Sequence, residues 1–248
     1  MSMLEIANLR FGYGREKTVL EDVSFSVRAG ANLGIVGESG SGKTTLLRLL
    51  LGLSRPQGGT ISFDGETVDA ADRGFMRRYR RKVQAVFQDP YSSLDPRQKV
   101  RDIIGEPLAS LSIPGDHRQM VAAALDEVGL DESAMERLPH QFSGGQRQRI
   151  AIARAIVARP KMVLADEAVS ALDLSTRIRI VELFKALSES LTLVFVSHDL
   201  GVVAALCEEI VILEAGRIVE QGRTSEILRA PAHPYTQRLL ASVPRMPA

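Results

Sequence analysis

The sequence predicts an α/β fold: a mostly parallel sheet as core, an antiparallel β part joined to it, and an inserted α-helical segment. Three observations predict it. A glycine-rich stretch, "GESGSGKT" at Gly37 to Thr44, is led in by the short apolar run "LGIVG" and followed by the helical pattern "TTLLRLLLGL", which makes a strand–loop–helix unit. The apolar runs "KMVLADE", "LTLVFVSHD" and "EEIVILEAG" alternate with helical segments such as "STRIRIVELFKALSES", and runs of that kind belong to parallel strands buried on both faces. Ahead of the glycine loop, "LEIANLRF" and "VLEDVSFSV" alternate apolar with polar residues, as half-buried antiparallel strands do.

The remaining elements follow in chain order. "TISFDG" and "VQAVFQ" read as strands, and the basic cluster "RRYRRK" at Arg77 to Lys82 as a solvated helix face before the second of them. From Val100 to Leu138 the pattern turns helical, clearest in "QMVAAALDEVGL", with Pro107, Pro114 and Pro139 as expected breaks. Residues 88–140 are therefore expected to form a helical subdomain inserted into a core of residues 1–87 and 141–248, all within one domain. "FSGGQRQRIAIARA", Phe142 to Ala155, sets a serine and two glycines before a regular helix. The proline-rich tail "APAHPYTQRLLASVPRMPA" is expected to form a short helix with a loose end.

Composition excludes several classes of function. Lys+Arg 31 against Asp+Glu 30 leaves a formal charge of +1, so no overall field draws the chain to nucleic acid, and none is expected as a partner. The single cysteine, Cys207, rules out an internal disulfide framework and any four-cysteine metal site; its apolar surroundings suit a small buried hydrophobe. "MSMLEIANLR" lacks the basic start and apolar middle of a secretion signal, which predicts retention in the cytoplasm. The most apolar stretch, Leu46 to Leu53, is about half the length a bilayer crossing needs.

The chemistry concentrates after the strands. "GESGSGKT" is a complete G-x-x-x-x-G-K-[ST] phosphate loop: its glycines let successive N–H groups face an anion, and the helix start adds partial positive charge. Gly37, Glu38, Ser39, Gly40, Ser41, Gly42, Lys43, Thr44 and Thr45 are expected to contact the nucleotide, with Lys43 on the β/γ-phosphates and the Thr44 hydroxyl on Mg²⁺. Asp166 follows four apolar residues and suits the metal shell; Glu167, next along, suits a general base for the attacking water. His198, ending the following run, lies at the carboxyl edge of the sheet where ligands bind in open α/β folds, and is read as a γ-phosphate sensor. Gln88 ends "VQAVFQ" in the same way, as a Mg²⁺ ligand or an orienter of water. Tyr13 is a candidate stacking face for the base, with Phe11 as the alternative and a core role open to each. Ser143, Gly144, Gly145 and Gln146 form a second anion-binding helix start, surplus within one chain but usable if two chains meet head to tail, each capping the γ-phosphate held by Lys43 of the other.

These motifs, in this order, together with "SALD" at Ser170 to Asp173, resemble the ATP-binding subunits of ABC transporters over nearly the whole chain. The resemblance implies a P-loop NTPase of ABC type that binds ATP and Mg²⁺, with Phe142 to Gln146 as signature motif, Ser170 to Asp173 as the D-loop joining two sites, and Gln88 in the loop that touches a membrane subunit. It implies an ATPase at the cytoplasmic face of the inner membrane, partnered by two integral membrane permease subunits, a second ATPase subunit and, indirectly, a solute-binding protein. "FQDPYSSLDPR" and "HPYTQRLLASVP" are similar to the peptide and nickel importer branch. Members of that branch often carry an iron–sulfur cluster on a cysteine-rich extension; with Cys207 alone, none is expected here. Two residues depart from the family pattern: Ala168 stands where proline usually follows the catalytic glutamate, and Phe142 where leucine is usual. The rival readings are a soluble ABC-type ATPase acting on nucleic acid, or a subunit of a soluble multi-enzyme complex such as carbon–phosphorus lyase.

Overall fold

A computed structural model describes residues 2–14 and 17–242 of the chain. The first half holds strands β1 (Ser2–Tyr13), β2 (Lys17–Arg28) and β3 (Leu33–Val36), helix α1 (Lys43–Leu50), strands β4 (Gly58–Phe63) and β5 (Glu66–Thr67), helix α2 (Arg73–Lys82) and strand β6 (Val83–Val86). Helices α3 (Pro90–Ser93), α4 (Val100–Ser110), α5 (His117–Glu127) and α6 (Gly144–Ile156) follow, with two 3₁₀ turns, Glu132–Glu136 and Pro139–Gln141, before α6. Strand β7 (Met162–Asp166), helix α7 (Leu174–Leu187), strand β8 (Thr192–Ser197) and helix α8 (Leu200–Leu206) come next, then β9 (Glu209–Glu214), β10 (Arg217–Arg223), α9 (Thr224–Arg229) and α10 (Pro234–Ser242).

Six strands form one sheet in the order β10-β9-β3-β8-β7-β6, and four form another in the order β2-β1-β4-β5. From β9 to β6 every neighbouring pair is parallel, while β10 returns antiparallel along β9. The second sheet is antiparallel throughout. This is the predicted α/β class.

Two cores share the parallel sheet, and the alternation of side chains assigns its residues between them. Leu33 and Ile35 of β3, Met162 and Leu164 of β7, Val194 and Val196 of β8, and Val211 and Leu213 of β9 face α1 and the antiparallel sheet. Val36, Val163, Ala165, Leu193, Phe195, Ile210 and Ile212 face the other way, toward the helices. A period of two with both faces buried is why these strands read as unbroken apolar runs. Asn32, buried at the start of β3, ties three elements: its Oδ1 accepts the Leu193 N–H (2.9 Å) and its Nδ2 donates to the Leu206 carbonyl (3.0 Å).

The structure departs from the sequence reading in three places. Pro107 does not break a helix; it lies inside α4, buried near its C-terminal end. A proline there forgoes one backbone bond, to the Ile103 carbonyl, and α4 ends three residues later, so the loss falls where the ladder is running out. The strand read as "VQAVFQ" stops at Val86, because Asp89 caps α3 by accepting the Tyr91 and Ser92 N–H groups at 2.8 and 3.3 Å and turns the chain away. Strand β10 is additional to the strands read from the sequence: its residues are exposed or half-buried, and it pairs with β9 through its backbone without an apolar run. The tail does form a helix, α10, while its expected loose end falls on residues 243–248, outside the described residues. No helix among the described residues is long and apolar enough to cross a membrane.

Candidate functional site

The glycine loop joins the end of β3 to the start of α1, as predicted. Its shape is fixed by crowding as much as by flexibility. A Cβ on Gly37 would collide with the Leu213 carbonyl and the Ser41 hydroxyl, and Gly42, which precedes α1 with φ 108°, would press a Cβ to 2.8 Å from Leu20. Lys43, the first residue of α1, is buried and folds its ammonium back over the loop, donating to the Gly37 carbonyl (2.6 Å) and the Glu38 carbonyl (2.9 Å). Burial lowers the Lys43 pKa; Glu167, Asp166 and Glu38 oppose that shift. Glu38, Ser39, Gly40 and Thr44 are exposed, so the cradle opens to solvent on one side.

The acidic half stands one strand beyond the neighbour of β3. Asp166 ends β7, and burial pushes its carboxyl up to about 6, with Glu167 adding to the rise and Lys43 pulling it down. A carboxylate held this way favours a neutralising cation, and with the exposed Thr44 hydroxyl it offers the hard oxygen donors that Mg²⁺ prefers. These residues fit that ion.

Glu167 has φ 45°, a left-handed conformation that costs a non-glycine residue of order 1 kcal/mol. Its surroundings hold it there. Its N–H donates to the Val196 carbonyl (2.8 Å), and its carbonyl accepts from the Ser170 N–H and hydroxyl, each at 3.0 Å. His198 Nδ1 lies 3.2 Å from Glu167 Oε1. The imidazole is delivered by the turn after β8: Ser197 Oγ accepts the Asp199 N–H, and Asp199 in turn caps α8 through the Gly201 and Val202 N–H groups. Gln88 Nε2 donates to Ser170 Oγ (3.3 Å), which ties the segment after β6 to the segment after β7. Lys43, Asp166, Glu167, His198 and Gln88 thus gather at one edge of the sheet, where a polyanion, a cation and a water molecule can be handled together.

The two candidate aromatics differ in exposure. Phe11 is buried, whereas Tyr13 is half exposed beside α1, its hydroxyl 3.4 Å from Thr45 Oγ1 and its ring edge-on to Phe11 at 5.2 Å. The Ser143 region is built differently from the phosphate loop. Ser143 Oγ accepts the Gln146 N–H (3.3 Å) and Gln146 Oε1 accepts the Ser143 N–H (3.0 Å), a reciprocal cap that opens α6. Gly144 has Tyr91 as neighbour, and a Cβ on Gly145 would overlap the Thr176 methyl group, so α6 and α7 start in close contact. Within this chain the Ser143 start is flanked by α3 and α7, with Ser143 and Gln146 themselves exposed. Arg147 lies 4.0 Å over the Tyr91 ring.

One contact had no signal in the sequence. The Glu38 N–H donates to the hydroxyl of Tyr235, from α10, at 2.8 Å. The stretch around Tyr235 stood out only as a family likeness, and nothing local in it points to a loop almost two hundred residues earlier.

A parallel sheet with a glycine loop between its central strand and the following helix, flanked by an antiparallel sheet and a helical layer, defines a P-loop NTPase fold. Residues 20–170 match the family described as ABC transporter, and residues 219–248 match the family described as oligopeptide/dipeptide transporter, C-terminal region. The oligopeptide transport ATP-binding protein OppF of Streptococcus mutans is 43% identical over 251 residues, 98% of this chain and 82% of that protein. The glutathione import ATP-binding protein GsiA of Escherichia coli (strain K12) is 47% identical over 234 residues; these are 93% of this chain but 38% of that much longer protein. Among solved structures, the dimeric post-hydrolysis state of the ATP-binding cassette MJ0796, bound to ADP and Pi, superposes with a TM-score of 0.79 at 30% identity, covering 90% of this chain and 99% of that one. The chain belongs to the ATP-binding subunits of the ABC transporter family.

Proposed function

We propose that this chain is the ATP-binding and ATP-hydrolysing subunit of an import system for peptides, powered by ATP-driven dimerisation at the cytoplasmic face of the membrane. The observation that carries the reading is the meeting of Lys43, Asp166, Glu167 and His198 at one sheet edge. The similarity to peptide and glutathione import proteins supports the solute class.

In this reading the loop residues Gly37 to Thr45 surround the phosphates, and Lys43 keeps the Gly37 carbonyl while its remaining donors turn to phosphate oxygens. Thr44 and Asp166, with Gln88, would hold Mg²⁺, which supplies charge neutralisation on the phosphates. Glu167 accepts a proton from water as the water oxygen bonds to the γ-phosphorus and ADP leaves. His198 holds the Glu167 carboxylate in place and senses the γ-phosphate. Tyr13 stacks on the base. Ser143, Gly144, Gly145 and Gln146 of one copy, or of a paralogous ATPase subunit, cap the nucleotide of the other. The helix cap uses the Ser143 hydroxyl and the Gln146 side chain only as acceptors, so the Ser143 O–H, the Gln146 Nε2 and the glycine N–H groups are the capping donors in this reading.

Two permease subunits are the membrane partners in this reading, one of which we assign to this chain's groove of about 830 Å³ between α2 and α4, lined by Leu53, Met76, Phe87, Arg77 and Arg80. We keep residues 88–140 as the inserted helical subdomain, with α6 as the element that packs against both it and the core. The test is Glu167→Gln: on gel filtration with ATP this variant is expected to elute as a dimer with little turnover, and elution as a monomer with and without ATP counts against the reading.

A further inference from the structure

The C-terminal segment has no part in the mechanism above, yet it touches the phosphate loop. Tyr235 is buried, and its hydroxyl accepts the Glu38 N–H at 2.8 Å. That N–H belongs to the same peptide unit as the Gly37 carbonyl, which accepts from Lys43 Nζ at 2.6 Å. A trans peptide is planar, and its N–H and C=O point in opposite directions. One rigid plane therefore has Tyr235 on one side and the Lys43 ammonium on the other.

The Gly37 end of the plane is closely packed: a Cβ there would collide with the Leu213 carbonyl and the Ser41 hydroxyl. The phenol is held as firmly. Glu220 on β10 accepts the Ala232 and His233 N–H groups at 2.9 and 3.2 Å, and His233 Nδ1 accepts the Tyr235 N–H at 3.2 Å. Arg238 lies 5.6 Å over the Tyr235 ring and donates to Glu214, the residue after Leu213. Strands β9 and β10 and helix α10 thus fix one hydroxyl against one peptide of the loop.

We infer that Tyr235 is a positioning residue of the nucleotide site: through the Gly37–Glu38 peptide it sets the Lys43 ammonium, so that the C-terminal segment tunes affinity for the phosphates. The inference rests on the nucleotide reading proposed above. Removing the hydroxyl strands the Glu38 N–H, and the peptide regains a partner only by rotating, which turns the Gly37 carbonyl away from Lys43.

The test is a double-mutant cycle on the full chain, read as the Kd for a fluorescent ATP analogue with Mg²⁺, alongside thermal unfolding. Tyr235→Phe keeps the ring and its packing. It is expected to raise Kd about tenfold in the wild-type background and less than twofold in the Lys43→Ala background, because the route runs through that ammonium. A purely structural role would lower Tm with Kd unchanged, and that result overturns the inference. An equal rise in Kd in both backgrounds overturns the route through Lys43. A wild-type chain that binds no nucleotide overturns the nucleotide reading itself, and this inference with it.

Discussion

Asp166 gives the sharpest handle on the energetics of the site. Its carboxyl stands at about 6 against an ordinary 3.8, raised first by burial and then by Glu167, with Lys43 offsetting part of the rise. A carboxyl raised in the folded state binds protons more tightly there than in the unfolded chain. Its contribution to stability is therefore present in full below about 3.8 and is lost as pH climbs through about 6. A rise of roughly two pH units at about 1.4 kcal/mol each means that the ionised group costs the nucleotide-free fold about 3 kcal/mol at pH 8. Asp166→Asn keeps the shape and removes the charge. In buffer with EDTA, urea unfolding at pH 8 should show the variant more stable by about 3 kcal/mol, equivalent to about 6–12 °C in Tm for a chain of this size. The gain should shrink to about half near pH 5 and nearly vanish by pH 4. With Mg²⁺ and ATP the order should reverse, since only the wild type gains the full binding energy. A variant no more stable than wild type at pH 8, or a gain independent of pH, refutes the account of Asp166 as a strained acid awaiting a cation.

Two further predictions concern the scaffold. Asn32→Ala should cost about 3 kcal/mol in denaturant unfolding, because it strands the Leu193 N–H and the Leu206 carbonyl in the interior; a loss under 1 kcal/mol would mean that water replaces the amide. The Cys207 thiol is buried and pushed far up, first by burial and then by Glu208, so a maleimide at pH 7 should leave it unmodified in the native chain and label it after unfolding. Native labelling at the unfolded rate would contradict that placement.

The parts legible in the sequence were those written locally. Val36, Ala165 and Val196 sit in runs that only a sheet buried on both faces would require, and the loop from Gly37 to Thr44 carries a complete phosphate-loop pattern between a strand and a helix. Side chains at the carboxyl ends of those runs, Asp166 and His198, could be assigned to one edge because parallel strands all end there. What escaped the reading depended on partners distant in sequence or on position within an element. Pro107 is tolerated because of where α4 stops, and β10 pairs through its backbone with little apolar signal. The left-handed turn at Glu167 rests on Val196 and Ser170, neither of which announces the conformation in advance. Tyr235 meets Glu38 only through the return of β9 and β10, which no local pattern encodes.

The absent side chain at Gly145 has a mechanical consequence. With Thr176 filling the space a methyl would need, the beginnings of α6 and α7 approach this closely only because residue 145 carries no side chain. Thr176 in turn donates its N–H to Asp173, the last residue of the "SALD" turn. Enlarging residue 145 would therefore wedge the two helix starts apart and displace the serine end of α6 from that turn.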